Sequence, residues 1–411
     1  MMLLFYRIGL WIYAGIIHIV SLFNNKALLW IRGRKNIWKR IADIKLNSEE
    51  KVIWMHVSSL GEFEQGRPLI EELKKQNQNV QIVLTFFSPS GYEIRKNYSN
   101  ANAVFYLPID SPRNARKWYD LIKPDYVIFV KYDFWYYYIR EAHLRNIPII
   151  LISAVFKPYQ IFFKWYGRFY RKMLGFFNFI FVQDANSAIE LKKININAEV
   201  AGDTRCDRVI QIAQNPLPLN EVKAFIQNRF TIVVGSMWNE DMQVLKDTIN
   251  SSGEDIVWII ASHNIEDSYI SLLEKQITKP ALRYSKLQDS KDKQFQVLFI
   301  DNIGKLSSLY QFAKIAYIGG GFGKGIHNIL EPAVYGVPVV FGPKYHKFNE
   351  AVEMVSCNAA FCVKNQQEAK SIFEVLIHNE LKRNAAATSA YNYIKSKAGA
   401  TALIIQKIYL N

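Results

Sequence analysis

Short apolar runs alternate with amphipathic stretches of about a dozen residues along most of the chain. From residue 52, the runs 52–57, 80–87, 104–107, 126–130, 147–153 and 179–182 read as strands, with helices at 63–75, 91–98, 112–122, 134–145 and 185–193. These runs are apolar at most positions rather than every second residue, which marks strands buried on both faces. Strands separated by helices imply a parallel sheet, whose ligands sit beyond the C-terminal strand ends. After residue 220 the pattern restarts, with strands at 230–234, 256–261, 297–300, 315–318 and 338–341 and helices at 240–250, 266–276 and 306–312. Residues 213–220, which include Pro216 and Pro218, read as a linker. The expected fold is therefore α/β, with Rossmann-like domains at 46–212 and 221–411 facing across a cleft. Terminal helices at 366–377, 380–395 and 400–409 are expected to cross back over both.

The first 23 residues break this pattern. They are apolar except for Arg7 and His18, and residues 1–40 hold seven Lys or Arg and no acid. Residues 1–45 thus read as a membrane anchor with a basic flank. About 20 apolar residues suffice to span a bilayer. The alternative is a helix lying in the interface, with Trp11, Tyr13, Trp30 and Trp38 at headgroup depth and the flank on anionic lipid. Either arrangement leaves the remainder at the cytoplasmic face of an inner membrane. A second stretch, 156–172, interleaves Lys157, Lys164, Arg168, Arg171 and Lys172 with eight aromatic residues. This suits a helix on a membrane, a base-stacking surface, or a helix with an aromatic core side.

Net charge changes the picture by calling for an anionic partner, since the chain carries +15. Given the apolar N-terminus, that partner is expected to be an anionic membrane surface and phosphorylated substrates, with no nucleic acid and no obligate protein partner. Cys206, Cys357 and Cys362 are too few and scattered for a zinc site or disulfide framework, and all three read as small core residues. No Asp-x-Asp occurs and no metal-ligand spacing is found, so neither metal nor cofactor is expected.

Candidate chemistry gathers at strand ends. Following the strand at 315–318, Gly319, Gly320, Gly321, Gly323 and Gly325 would let backbone approach a ligand closely. His327 and Asn328 then open a helix at 329–335, whose N-terminus suits an anion. Glu331, one turn in, suits a sugar diol, because a carboxylate accepts two hydroxyl hydrogen bonds. Ser236 and His263 stand at neighbouring strand ends, Ser236 as a candidate phosphate contact. In the first domain, Ser59-Leu60-Gly61-Glu62 follows the first strand. Glu62 could there take a proton from an attacking hydroxyl. Ser88 and Ser90 suit either an acceptor phosphate or a helix cap, and Lys131 and Asp133 follow the fourth strand.

The ordered set Gly-rich, His327-Asn328, Glu331-Pro332 and Phe341-Gly342-Pro343 resembles the nucleotide-sugar site of GT-B glycosyltransferases. In detail it is similar to the 3-deoxy-D-manno-octulosonic acid (Kdo) transferases, and the motifs run in order over about residues 1–360. Ser59 to Glu62 resembles that family's Ser-Val-Gly-Glu, and Gly202 to Asp207 its crossover motif. The resemblance implies a metal-independent, inverting transfer of Kdo from CMP-Kdo to a lipid A precursor. Glu62 would be the base, with Ser59, Gly61, Ser88, Ser90, Lys131 and Asp133 on the acceptor side. Gly320, Gly321, Lys324, His327, Asn328, Glu331, Ser236, His263 and Asn349 would hold the donor. Two departures stand out: Lys131 replaces an acid and Ser262 an arginine. They keep two rivals open, a GT-B enzyme using a UDP-sugar and a silent binding protein on the same fold.

Overall fold

A computed structural model describes residues 2–289 and 294–409. It divides into two units, residues 1–207 with 397–411, and residues 208–396. The division falls inside the helix Thr204–Gln214 rather than at the expected linker. Residues 215–219 are held in the second unit, where the Leu217 N–H donates to Ser308 Oγ at 3.0 Å.

The first unit is built on seven parallel strands: β1 Val52–Val57, β2 Gln81–Phe86, β3 Ala103–Tyr106, β4 Tyr126–Val130, β5 Ile149–Ala154, β6 Phe179–Val182 and β7 Glu199–Val200. Their spatial order is β3-β2-β1-β4-β5-β6-β7, so the order reverses between β1 and β4. Register runs Ile53 beside Tyr126 through His56 beside Phe129. Strands β1, β2, β4 and β5 are buried at every residue, as their mostly apolar runs require. Helices cover both faces, and Trp54, Trp118, Tyr119 and Tyr138 form an aromatic centre on one of them. On the other, the C-terminal helix Ala400–Tyr409 sets Ile404, Ile405 and Ile408 against the core. Asp207 caps this helix, accepting the N–H of Gly399 at 2.6 Å and of Thr401 at 2.7 Å. That gives the crossover motif a structural duty.

The second unit repeats the plan with β8 Phe230–Met237, β9 Ile256–Ser262, β10 Ala281–Arg283, β11 Val297–Ile300, β12 Ile315–Ile318, β13 Val339–Phe341 and β14 Ala360–Cys362. The order is β10-β11-β9-β8-β12-β13-β14, again all parallel, with the reversal between β8 and β12. Open parallel sheets bind ligands at such reversal points.

Three expectations change. Residues 156–172 do not form one helix but a turn, the short 3₁₀ helix Ile161–Phe163 and the helix Arg168–Leu174. Phe156 and Phe162 are core residues, whereas Trp165 stands 90% exposed. The expected helix 329–335 is the single turn Leu330–Ala333. Of the cysteines, Cys206 is buried, Cys362 is half-buried, and Cys357 is exposed.

Candidate active site

In the first unit, the loops leaving β1 and β4 meet at the reversal point. Ser58 donates its hydroxyl to Asp133 Oδ1, and Ser59 donates to Glu62 Oε2 in the first turn of the helix Leu60–Gln76. Glu62 is half-buried on that turn. Asp133 is nearly buried, and its Oδ2 has no hydrogen-bond partner. Burial, with the negative charge of Glu62 adding to it, pushes the Asp133 carboxyl up to about 8. Lys131, in a left-handed backbone conformation, opposes that shift and also acts on Asp203. The cation that replaces an acid in the sequence motif therefore sits in the field of two buried carboxyls.

Behind this pair His56 is wholly buried. Its Nε2 accepts the Trp135 indole N–H at 2.9 Å, which leaves the ring proton on Nδ1 for Thr85 Oγ1 at 2.8 Å. Burial, then the Arg34 cation, lowers the imidazole to about 3, so it is a neutral structural group. Thr85 is correspondingly turned inward, since it also accepts the Trp54 indole N–H. Beside Asp133 opens a cavity of about 430 Å³ with an aromatic wall of Tyr132, Phe134, Trp135, Tyr159 and Phe162. Tyr6 of the N-terminal helix Met2–Val20 completes it.

In the second unit, Asp241 ties the ends of β8 and β12 together. Wholly buried, it accepts the N–H of Gly320 at 2.8 Å, the N–H of Trp238 at 3.0 Å and the Tyr317 hydroxyl at 2.9 Å. Trp238 lies flat on His263, with ring centroids 3.9 Å apart and planes 19° apart, and donates its indole N–H to His327 Nε2 at 3.2 Å. Burial lowers both histidines, helped by the Lys324 cation for His263 and by His263 for His327. Asn328 accepts the Leu330 N–H and donates to Glu331 Oε1, both at 3.1 Å. Gly319 and Gly321 are required by this packing. A Cβ on Gly321 would stand 2.5 Å from the Gly342 nitrogen, and one on Gly319 would strike the Ser236 carbonyl. Lys344 closes the loop from the far side, its ammonium donating to the Gly323 carbonyl at 2.8 Å.

Comparison with known proteins shows what this arrangement is similar to. The family model of 3-deoxy-D-manno-octulosonic-acid transferases matches residues 35–208. A 3-deoxy-D-manno-octulosonic acid transferase of Aquifex aeolicus is 28% identical over 323 residues, covering 77% of this chain and 83% of that protein. That of Rickettsia typhi is 27% identical over 360 residues, covering 84% and 76%. Over most of its length the chain is similar to the Kdo transferases. It is accordingly a glycosyltransferase. Solved structures agree on the fold. A UDP-GlcNAc 2-epimerase of Neisseria meningitidis superposes with a TM-score of 0.61 at 19% identity, over 88% of this chain and 100% of that one. MurG of Acinetobacter baumannii gives 0.57 at 13% identity, over 88% and 100%. The two Rossmann-like units are those of the GT-B fold.

In this chain the residues expected from sequence fall into two sets by unit. Ser59, Gly61, Glu62, Lys131 and Asp133 gather around the ends of β1 and β4. Ser88 and Ser90 lie at the end of β2, where Ser88 Oγ accepts the Ser90 N–H at 3.3 Å as a helix cap. Ser236, His263, Gly320, Gly321, Lys324, His327, Asn328 and Glu331 occupy the second unit's strand ends, and Asn349 opens the helix Asn349–Ser356. Gly320 and Gly321 are buried. Sequence reasoning missed Ser58, His56, Trp238 and Asp241. The last two stand two and five residues after Gly235-Ser236, near the end of β8, which was the available signal.

Proposed function

We propose that the chain is a Kdo transferase that moves Kdo from CMP-Kdo to a hydroxyl of a lipid A precursor such as lipid IVA. The similarity to Kdo transferases supports the coarser statement, Kdo transfer in lipopolysaccharide biosynthesis. The observation that carries the mechanism is Glu62, half-buried on the first helical turn after β1 and held by Ser59. From there its carboxylate takes the acceptor proton as that oxygen bonds to the anomeric carbon. The bond from that carbon to the phosphate oxygen breaks on the opposite face, CMP leaves with the electron pair, and the configuration inverts. The aromatic cavity beside Asp133 would take the acceptor, with Gly61, Ser88, Ser90 and Lys131 around it. A protonated Asp133 can donate to a sugar oxygen, which an ionised acid cannot.

On the donor side, His263, His327, Asn328 and Lys324 would bind the nucleotide phosphate, with Ser236 and Asn349 on the sugar. Glu331 would hold the ribose. Lys324 and these hydrogen-bond donors would stabilise the leaving phosphate, so the proposed reaction uses no metal. The Met2–Val20 helix is long and apolar enough to cross a membrane, which supports association with the cytoplasmic face of an inner membrane. Calorimetric titration with CMP and UDP tests the donor. CMP should bind at least about tenfold more tightly, and equal or inverted affinities would sink the CMP reading in favour of a UDP-sugar.

A further inference from the structure

Arg7, Leu10, Trp11 and Ala14 stand three and four residues apart on the helix Met2–Val20 and so share one face. That face walls a cavity of about 500 Å³, closed on its other side by residues 109–114, Arg116 and Tyr137. Three guanidinium groups line it: Arg7, Arg113 and Arg116. All three residues are exposed, and none forms an ion pair among the described residues. The acid in the wall, Asp110, is already committed. Its Oδ2 accepts the Tyr6 hydroxyl at 2.6 Å and the Tyr137 N–H at 3.0 Å, while Oδ1 accepts the Tyr138 N–H at 3.1 Å. The remaining wall is largely apolar. A cluster of unpaired cations with an apolar side is the pattern that receives a phosphate carried on hydrocarbon.

The same helix shows where the hydrocarbon would be. Leu3, Tyr6, Leu10, Ala14 and Ile17 are half-buried in a stripe along its length, while Leu4, Phe5, Ile8, Trp11, Ile12, Ile16 and Ile19 are exposed. Tyr6 is latched to Asp110, and Tyr13 packs edge-on against Trp30. A helix docked along its whole length meets a bilayer side-on. Arg7 then lies at headgroup depth instead of at a costly position in the hydrocarbon.

We propose that this cavity binds the phosphate headgroup of an anionic bilayer glycerophospholipid, with the N-terminal helix lying in the plane of the interface. This rests on the membrane-associated part of the proposed function and not on the transfer chemistry. A resident bilayer lipid is favoured over the acceptor because the aromatic cavity is lined by Asp133, whose carboxyl lies in the field of Glu62, and so stands ready for the acceptor.

The test is calorimetric titration of dihexanoyl-phosphatidylglycerol, below its micelle concentration, into the full-length protein in neutral detergent. Wild type should show one saturable site, and so should a Lys382→Ala control on the second unit. Arg113→Ala/Arg116→Ala should bind about tenfold more weakly or worse, as the loss of two cations near a phosphate implies. Both arginines are exposed, so its melting temperature should match wild type. Dihexanoyl-phosphatidylcholine, whose headgroup is neutral overall, should bind wild type about tenfold more weakly than the glycerol lipid. Equal binding by the double variant, or no saturable site in wild type, overturns the proposal. So does a double variant whose only defect is a raised KM for the lipid A precursor, since the cavity would then serve the acceptor. None of the calorimetric arms uses the nucleotide donor, so they stay readable if the CMP-Kdo assignment fails.

Discussion

The Ser58 hydroxyl donates to the carboxyl of Asp133, tying the loop after β1 to the loop after β4. Burial holds the Asp133 carboxyl at about 8, against an ordinary 3.8. Between these values the folded protein keeps a proton that the unfolded chain has released. The stabilising contribution of Asp133 is thus complete below about pH 4 and is lost as pH rises towards 8. Asp133→Asn keeps the shape and the acceptor for Ser58 without the charge. Its melting temperature relative to wild type should therefore rise steadily from pH 5 to pH 8. A difference that stays constant across that range contradicts the assignment.

Gly321 and Gly323 sit two residues apart in the same loop but should respond to alanine with losses of very different size. A Cβ on Gly321 meets three backbone atoms of Gly342 at 2.5 to 2.8 Å, whereas the nearest atom to one on Gly323 is 3.7 Å away. Backbone cannot rotate aside as a side chain can. Gly321→Ala should destabilise by about 2 kcal/mol or more in urea unfolding, and Gly323→Ala by less than about 0.5 kcal/mol. Similar losses for both would show that the loop relaxes around added volume.

Trp238 is a positioning residue, holding His263 by stacking and His327 by a hydrogen bond. Trp238→Ala should weaken CMP binding about tenfold through the loss of both restraints, with Trp238→Phe recovering the stacked part. The readout that separates positioning from folding is the far-UV melting curve. It should move little, because the indole is only half-buried. Unchanged CMP affinity in Trp238→Ala would remove the aromatic cluster from the donor site.

How much of this was legible in the sequence depends on the range of the interaction. Strands Val52–Val57, Tyr126–Val130, Phe179–Val182 and Val297–Ile300 lie where the apolar runs place them, because burial on both faces leaves an unbroken local signature. The short edge strands Glu199–Val200, Ala281–Arg283 and Ala360–Cys362 carry too few residues for any pattern. Glu62 was legible as the residue on a strand-to-helix turn. The glycine loop was legible as a tight turn but not in its purpose. Whether a glycine makes room for a ligand or for Gly342, some twenty residues on, is not written locally. His56 with Trp135, and Trp238 with His327, are likewise pairings across 79 and 89 residues. For residues 156–172 the warning was present, since Pro158 and Gly167 interrupt the helical composition.

The most direct test of the account is lipid product analysis with purified protein, CMP-Kdo and a tetraacylated lipid A precursor, comparing wild type with Glu62→Gln. Wild type should release CMP and add Kdo. Glu62→Gln should fold and bind CMP as wild type does, yet transfer at least about a hundredfold more slowly, within the range a positioned general base supplies. If Glu62→Gln transfers at the wild-type rate, Glu62 is not the base. If wild type folds and binds CMP but moves no sugar, the proposed reaction itself is wrong.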